Sequence, residues 1–427
     1  MSFIADLGLR ISDFNPQSEI RNSQFDSTSD GHRMNAWWPA LALFLLVLAL
    51  LVASRVRRFQ SVFRWLPVPL WCYLLPALGV HLGWLPGERA GGSLYRALTN
   101  ALLPVALAVL LLGVDVPSVL RTGRRALIAA ATGAVGVILG TSLGVCVAQA
   151  HLPPEAWKGA GALAGTWTGG TMNLLALQAL LEIPHAIFAP LVLVDALVAY
   201  SWMTLLVAAS GFQRPIDRWL RAEEPPHAVD PLATTSILEK PSSARPPRRW
   251  RPLILCATVA LAVAFSARWM AGRLPTSPWI SSASGWTVWL VTTTALSLSL
   301  IPSLRRAATH AGSRGVALLY LVLAATGAQA SVQALQSTPA WVVVGIVVVL
   351  LHGGLLLFIG RCCRLPLGIL ATASQANIGG VISAPLVGAV YHPSLAPTGV
   401  LLAIAGNALG TYVGVVTAQL CRWLLRA

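Results

Sequence analysis

Gly165-Thr-Trp-Thr-Gly-Gly-Thr-Met-Asn173 and Ala373-Ser-Gln-Ala-Asn-Ile-Gly-Gly-Val-Ile-Ser-Ala384 decide how this chain is read. Each stretch lies inside a hydrophobic segment of bilayer-crossing length. Each also carries what an uninterrupted membrane helix avoids: a Gly-Gly pair, small hydroxyls and side-chain amides. Glycine costs about 1 kcal/mol relative to alanine inside a helix and opens backbone conformations closed to other residues. A break at bilayer depth frees N–H and C=O groups that lipid cannot satisfy, so it must face protein or a wet cavity. Freed helix N-termini favour anions, and freed carbonyls favour cations. Neutral ligands are at hand: Thr168, Thr171 and Asn173 around Gly169-Gly170, and Ser374, Gln375, Asn377 and Ser383 around Gly379-Gly380. Glycine pairs also serve close helix packing in membranes. The recurrence of amides and hydroxyls at both breaks favours a binding site.

Working outward, the chain of 427 residues is 56% hydrophobic and only 11% charged, with a mean hydropathy of +0.70. Soluble domains carry about 25% charged residues, so this composition describes an integral membrane protein, expected in a bacterial inner membrane. The net charge of +15 does not indicate nucleic acid, because Lys and Arg sit in short loops between apolar runs, the positive-inside pattern. The cysteines (Cys72, Cys146, Cys256, Cys362, Cys363 and Cys421) form neither a metal-ligand spacing nor a disulfide framework.

Twelve segments have crossing length: 36–54, 66–84, 97–116, 125–149, 157–182, 186–210, 252–271, 284–302, 315–335, 339–360, 366–390 and 395–421. Trp37, Trp38, Trp65, Trp84, Trp157, Trp250, Trp341 and Trp423 mark their ends, as interfacial belts do. Residues 1–35 form a polar tail, and Met34 offers an alternative start. Residues 36–210 and 252–427 form two membrane repeats. A hydrophilic linker, 211–251, joins them, and its opening stretch 212–220 suits an amphipathic surface helix.

Two counts disagree by one crossing. The arginines near 55–64, 121–125, 214–249, 305–314, 361–364 and 422–426 should all face the inside, yet three segments separate Arg125 from Arg214 where an even number is needed. The two halves also match in order. Asp195 follows the first Gly pair as Asn407 follows the second, and Leu112-Gly-Val-Asp115 precedes the first unit as Thr326-Gly-Ala-Gln329 precedes the second. An inverted repeat needs an odd number of crossings between equivalent helices, and the segment list gives six. The expected architecture is therefore an all-α polytopic protein of 11 to 13 transmembrane segments, with two inverted repeats and crossed broken helices in a core and a panel.

Asp195, in Leu-Val-Leu-Val-Asp-Ala-Leu-Val, is the sharpest single residue. A carboxylate at bilayer depth costs roughly 2.5–3.5 kcal/mol on insertion scales and marks ion or proton paths. It could exchange a proton or hold Na⁺. Asp115 reads as an interfacial ion pair beside Arg121 and Arg124, Glu182 as interfacial, and His352 as packed and hydrogen bonded between helices. No nucleophile elbow, phosphate-binding Gly-rich loop or metalloprotease His motif occurs, so an enzyme is not expected.

Ala373–Gly380 followed by Gly399-Val-Leu-Leu-Ala-Ile-Ala-Gly-Asn-Ala-Leu-Gly-Thr-Tyr-Val-Gly414, with Gly165–Asn173 and Val194-Asp-Ala, resembles the membrane proteins grouped as domain-of-unknown-function family 819. The likeness runs from about Trp37 to the C-terminus. That family looks related to the cation/proton antiporters and bile-acid:sodium symporters. The relationship implies an elevator-like motion of a core against a panel, with Asn173, Gln375 and Asn377 at crossed breaks and an ion ligand near Asp195. The paired acidic residues of electrogenic proton antiporters are missing, since Val194 precedes Asp195. The resulting expectation is a secondary transporter coupled to Na⁺ or H⁺ and carrying a small solute, an organic anion by the logic of helix N-termini. Its site would comprise Thr168, Gly169, Gly170, Thr171, Asn173, Asp195, Ser374, Gln375, Asn377, Gly379, Gly380 and Asn407. The lipid bilayer and the solute are the expected partners, and a homodimer is compatible with the sequence. The alternative is a membrane protein without transport activity, a scaffold or an enzyme of lipid-linked metabolism.

Overall fold

The computed structural model describes residues 37–222 and 250–425, except 60–61, 64–65, 121, 278–279, 281 and 331–335. The tail 1–35, Arg64, Trp65, Arg121, Arg426 and most of the linker lie outside the described residues. Within them the chain is helical and has no strand. The first half contains α1 (Trp38–Ala53), α2 (Val68–His81), α3 (Glu88–Leu112), the short α4 (Val116–Leu120), α5 (Arg124–Ala148), α6 (Ala156–Gly169), α7 (Thr171–Leu180), α8 (His185–Ala209) and α9 (Gln213–Leu220). The second half contains α10 (Trp250–Ala271), α11 (Ala283–Ser299), α12 (Pro302–Gly327), α13 (Thr338–Cys363), α14 (Leu367–Ile378), α15 (Gly380–Tyr391) and α16 (Leu395–Leu424). Proline opens α1, α2, α12 and α13 in the first turn, where its missing N–H costs nothing.

Six spans, in α3, α5, α8 with its continuation through α9 (His185–Leu220), α10, α13 and α16, are each long and apolar enough to cross a membrane. Helices α11 and α12 reach that standard together, bent by 116° between them. Large apolar side chains point outward along the bundle, among them Phe265, Leu350 and Ile382, as lipid contact allows. This is an integral membrane protein. Trp37, Trp84, Trp250 and Trp423 are exposed at helix ends, but Trp341 is fully buried where α13 meets Gly159 of α6.

The principal contacts fall into two sets. Helices α1–α3 pack with α10–α12, and α5–α8 pack with α13–α16. The halves contribute alike: α2 lies on α12 as α11 lies on α3, and α8 lies on α13 as α16 lies on α5. Small residues permit the closest approaches. Gly161, Gly165 and Gly169 of α6 face Gly414, Gly410 and Gly406 of α16, with backbone oxygens of one helix against glycines of the other. Gly136, Gly140 and Gly144 of α5 likewise admit the backbone of α13 at His352, Val348 and Val344.

The structure corrects one expectation about segments 157–182 and 366–390: they are not crossed broken helices. Leu177 of α7 folds back onto Gly165, and Leu181 onto Gly161, residues that would stand far apart in one continuous rod. Ile187, at the start of α8, touches Gly159 at the start of α6. Helices α6 and α7 therefore form a re-entrant hairpin that leaves by the face it entered. Helices α14 and α15 do the same: Gly388 lies on Thr372, Tyr391 on Gly368, and Leu395 of α16 on Gly368. Two of the twelve expected segments are thus returns, and the described helices long and apolar enough to cross number six, or seven with the bent pair α11–α12.

Helices α5 and α8 alone separate Arg125 from Arg214, so the disagreement in the arginine count vanishes; among the described residues α8 and α10–α13 separate the two hairpins. The loops bearing Arg124–Arg125, Arg214–Arg221, Arg305–Arg306 and Arg361–Arg364 share one face. Contacts agree: Arg305 Nε lies 3.5 Å from Asp115 Oδ1, and Asp217 Oδ1 accepts the Leu367 N–H at 2.7 Å. Asp115 thus pairs with Arg305, and its carboxylate also receives the Ser118 N–H and hydroxyl. Arg422 does not join this face as expected; it stands over the Trp157 ring at 5.1 Å, on the opposite side.

Single cysteines at Glu155 and Glu182, introduced into a cysteine-free background, will react with an impermeant maleimide from the same side, and one at Arg214 from the other. Labelling of positions 155 and 182 from opposite sides would restore the crossing helix. Gly406→Ala should cost about 1–3 kcal/mol by overpacking, because its β-carbon collides with the Thr168 carbonyl oxygen. Gly354→Ala, which meets nothing within 4 Å inside α13, should instead gain up to about 1 kcal/mol in the same thermal melts.

Candidate functional site

At the first hairpin tip, α6 ends and α7 begins around Gly170, whose φ of 77° and ψ of 178° suit only glycine. Helix α7 starts without a side-chain cap. Asn173, in its first turn, ties the tip down. The Asn173 amide nitrogen donates to Gly169 O (2.8 Å) and Asn407 O (3.3 Å), and its Oδ1 accepts from the Thr411 hydroxyl (2.6 Å). Thr168 spends its hydroxyl on its own helix, donating to Ala164 O at 2.8 Å. Thr171 is the half-buried first residue of α7. The Asn407 Oδ1 points toward Gly170, 3.7 Å from the place a β-carbon would occupy.

The second tip turns at Gly379-Gly380, with Gly380 at φ 78°. Helix α15 also starts without a side-chain cap. Gln375 spans the turn and donates from Nε2 to Ser383 Oγ (2.9 Å), while its buried Oε1 meets no hydrogen-bond partner. Asn377 donates to Ala130 O of α5 (3.1 Å). Ser374 receives the Trp202 indole N–H at 2.8 Å and lies 2.8 Å from His352 Nε2, while His352 Nδ1 lies 2.9 Å from Gly133 O. The directions in this chain are fixed by chemistry. A carbonyl only accepts, so Nδ1 carries the hydrogen; an indole only donates, so Ser374 offers its lone pair to Trp202 and its proton to Nε2. His352 is thus the hydrogen-bonded, packed residue the sequence indicated, and it holds the second hairpin to α5, α8 and α13.

The tips meet on α16. Carbonyl oxygens of Thr168 and Ala376 both face Gly406, and α6 contacts α14. Thr168, Gly169, Gly170, Asn173 and Asn407 therefore gather at one tip, and Ser374, Gln375, Asn377, Gly379 and Gly380 at the other. Asp195 sits apart, on the flank of the first hairpin. The polar groups turned toward its carboxylate are the Thr166 hydroxyl and the Trp167 indole N–H, and Tyr200 lies one turn further along α8. Thr166 Oγ1 and Trp167 Nε1 are buried and reach no partner at strict hydrogen-bond geometry. Among the described residues no three His, Cys, Asp or Glu side chains converge.

The pairing of helices with tips was not visible in the sequence. Helix α16, which follows the second hairpin, serves the first through Asn407 and Thr411; helix α8, which follows the first, reaches the second through Trp202. Thr166 and Trp167 lie within the quoted stretch, and their buried hydroxyl and indole were its unused polar signals. Trp202 and Thr411 gave no such signal.

Ser374→Ala removes the acceptor for Trp202 and the donor to His352 together. The variant should lose about 1–3 kcal/mol of stability, the cost of buried groups left unpaired. Ser374→Thr, which keeps the hydroxyl, should recover part of that loss in the same melts.

No curated protein matches the sequence. Residues 42–424 match the family model described as Protein of unknown function (DUF819). With nearly its whole length matched, from within α1 to the last residue of α16, the chain belongs to the DUF819 family.

Proposed function

We propose that the protein is a secondary transporter that couples a cation, Na⁺ or H⁺, to the movement of a small organic anion across a bacterial inner membrane. The observation that carries this reading is the meeting of two re-entrant hairpin tips, each with an uncapped helix N-terminus, on the glycines of α16. Helix N-termini in a low-dielectric interior attract a carboxylate or similar group. Gln375 Oε1 and Asn407 Oδ1 supply acceptors for polar parts of the same solute. Asp195, with the Thr166 oxygen beside it, would take the coupling ion, and the Trp167 N–H would steady the ionised carboxylate when the ion leaves.

The two contact sets supply the moving parts: α5–α8 with α13–α16 as the core that carries the site, and α1–α3 with α10–α12 as the panel. The matched contacts of the halves support inverted repeats and an elevator-like stroke. They also support kinship with the cation/proton antiporter and bile-acid:sodium symporter superfamily. The assembly has the lipid bilayer and solute as partners, admits a homodimer, and performs transport rather than catalysis.

The test is uptake of radiolabelled carboxylates by proteoliposomes under an imposed Na⁺ or pH gradient. Gradient-driven uptake should fall at least tenfold in Asp195→Asn while folding is retained. Uptake that ignores both gradients, or survives in Asp195→Asn, would overturn the coupling role of this residue.

A further inference from the structure

Helix α9 lies on the arginine-bearing face, and its two sides differ. The inward side is held by the protein. Leu220 is fully buried against Gly360 and the cluster containing Leu370, and Ile216 packs on the same cluster. Asp217 reaches the start of the second hairpin, where its Oδ1 accepts the Leu367 N–H at 2.7 Å, a carboxylate cap on the N-terminus of α14. The outward side carries Arg214 and Arg218, one turn apart, beside Trp219, all exposed. Phe212, just before the helix, is 65% exposed and Trp219 55%. Arg221 is exposed at the far end.

Guanidiniums interleaved with outward aromatic rings suit neither an apolar core nor a freely solvated face. They suit the headgroup layer, where rings sit among glycerol and carbonyl groups and Arg forks bind phosphate oxygens. The positive-inside face borders the cytoplasmic leaflet, which carries anionic lipid. We propose that α9 docks on anionic phospholipid headgroups of that leaflet and that its hold is passed to the base of the second hairpin through Asp217 and Leu220. Lipid charge would thereby set how firmly α14 is anchored. The proposal stands independently of transport.

The test uses the full chain in neutral detergent, titrated with phosphatidylglycerol or with phosphatidylcholine of the same acyl chains. Phosphatidylglycerol should raise Tm more than phosphatidylcholine, and the difference should shrink in high salt. Each of Arg214→Gln and Arg218→Gln should weaken the apparent phosphatidylglycerol affinity about fivefold, the equivalent of one arginine's attraction to an anionic surface. Phosphatidylglycerol should also slow hydrogen exchange at the Leu367 amide, and Asp217→Ala, which removes the acceptor, should abolish that slowing while keeping the Tm shift. Equal response to both lipids, absence of salt dependence in the wild-type chain, or an unchanged response in the arginine variants would overturn the proposal. An equal shift from inorganic phosphate would reassign the face to a soluble anion and overturn it too.

Discussion

A helix that ends inside a bilayer leaves backbone N–H and C=O groups without water to receive them, and each such group costs several kcal/mol if nothing else does. Among the described residues, four helix ends gather at the two hairpin tips, two at each. The rest of the core is built around satisfying and shielding them. Asn173 bonds across its own break and onto α16; Gln375 spans the other break; Asn377 reaches α5. The glycine stripe of α16 is the geometric condition for this arrangement, since any β-carbon at Gly406 or Gly410 would push the tips away from the helix they rest on.

The tips are also held crosswise. The first hairpin is bound by Asn407 and Thr411 and the second by Trp202 and Ala130, each contributed by the other half of the chain. The paired residues are 172 to 247 positions apart in the chain. Neither half can therefore complete a tip alone. Contacts this distant in sequence form late, because the loop entropy is lost before they repay it.

Hydropathy located every long segment, and the Gly-Gly pairs with their amides marked both tips, because those signals depend only on local composition. Three things were hidden for identifiable reasons. Helix α12 begins at Pro302 rather than near residue 315, since Arg305, Arg306 and Arg314 depress hydropathy in turns that the helix still forms along the aqueous face. An apolar run of 26 residues has the same composition whether it crosses or returns, so the hairpins could not be told from broken spans locally. The loop arginines nevertheless registered the difference, as a count wrong by one. The pairing of α16 with the first tip depends on the tertiary fold, and only the repeated four-residue glycine spacing of Gly161, Gly165 and Gly169 against Gly406, Gly410 and Gly414 hinted at it.

A hairpin that leaves by the door it entered is silent in the arithmetic of sidedness. Gain or loss of a single spanning helix turns every later loop inside out and sets its arginines against the membrane potential. Gain or loss of a re-entrant pair disturbs nothing downstream. A re-entrant hairpin can therefore bring a polar centre into a helix bundle without rewriting the charge of any later loop.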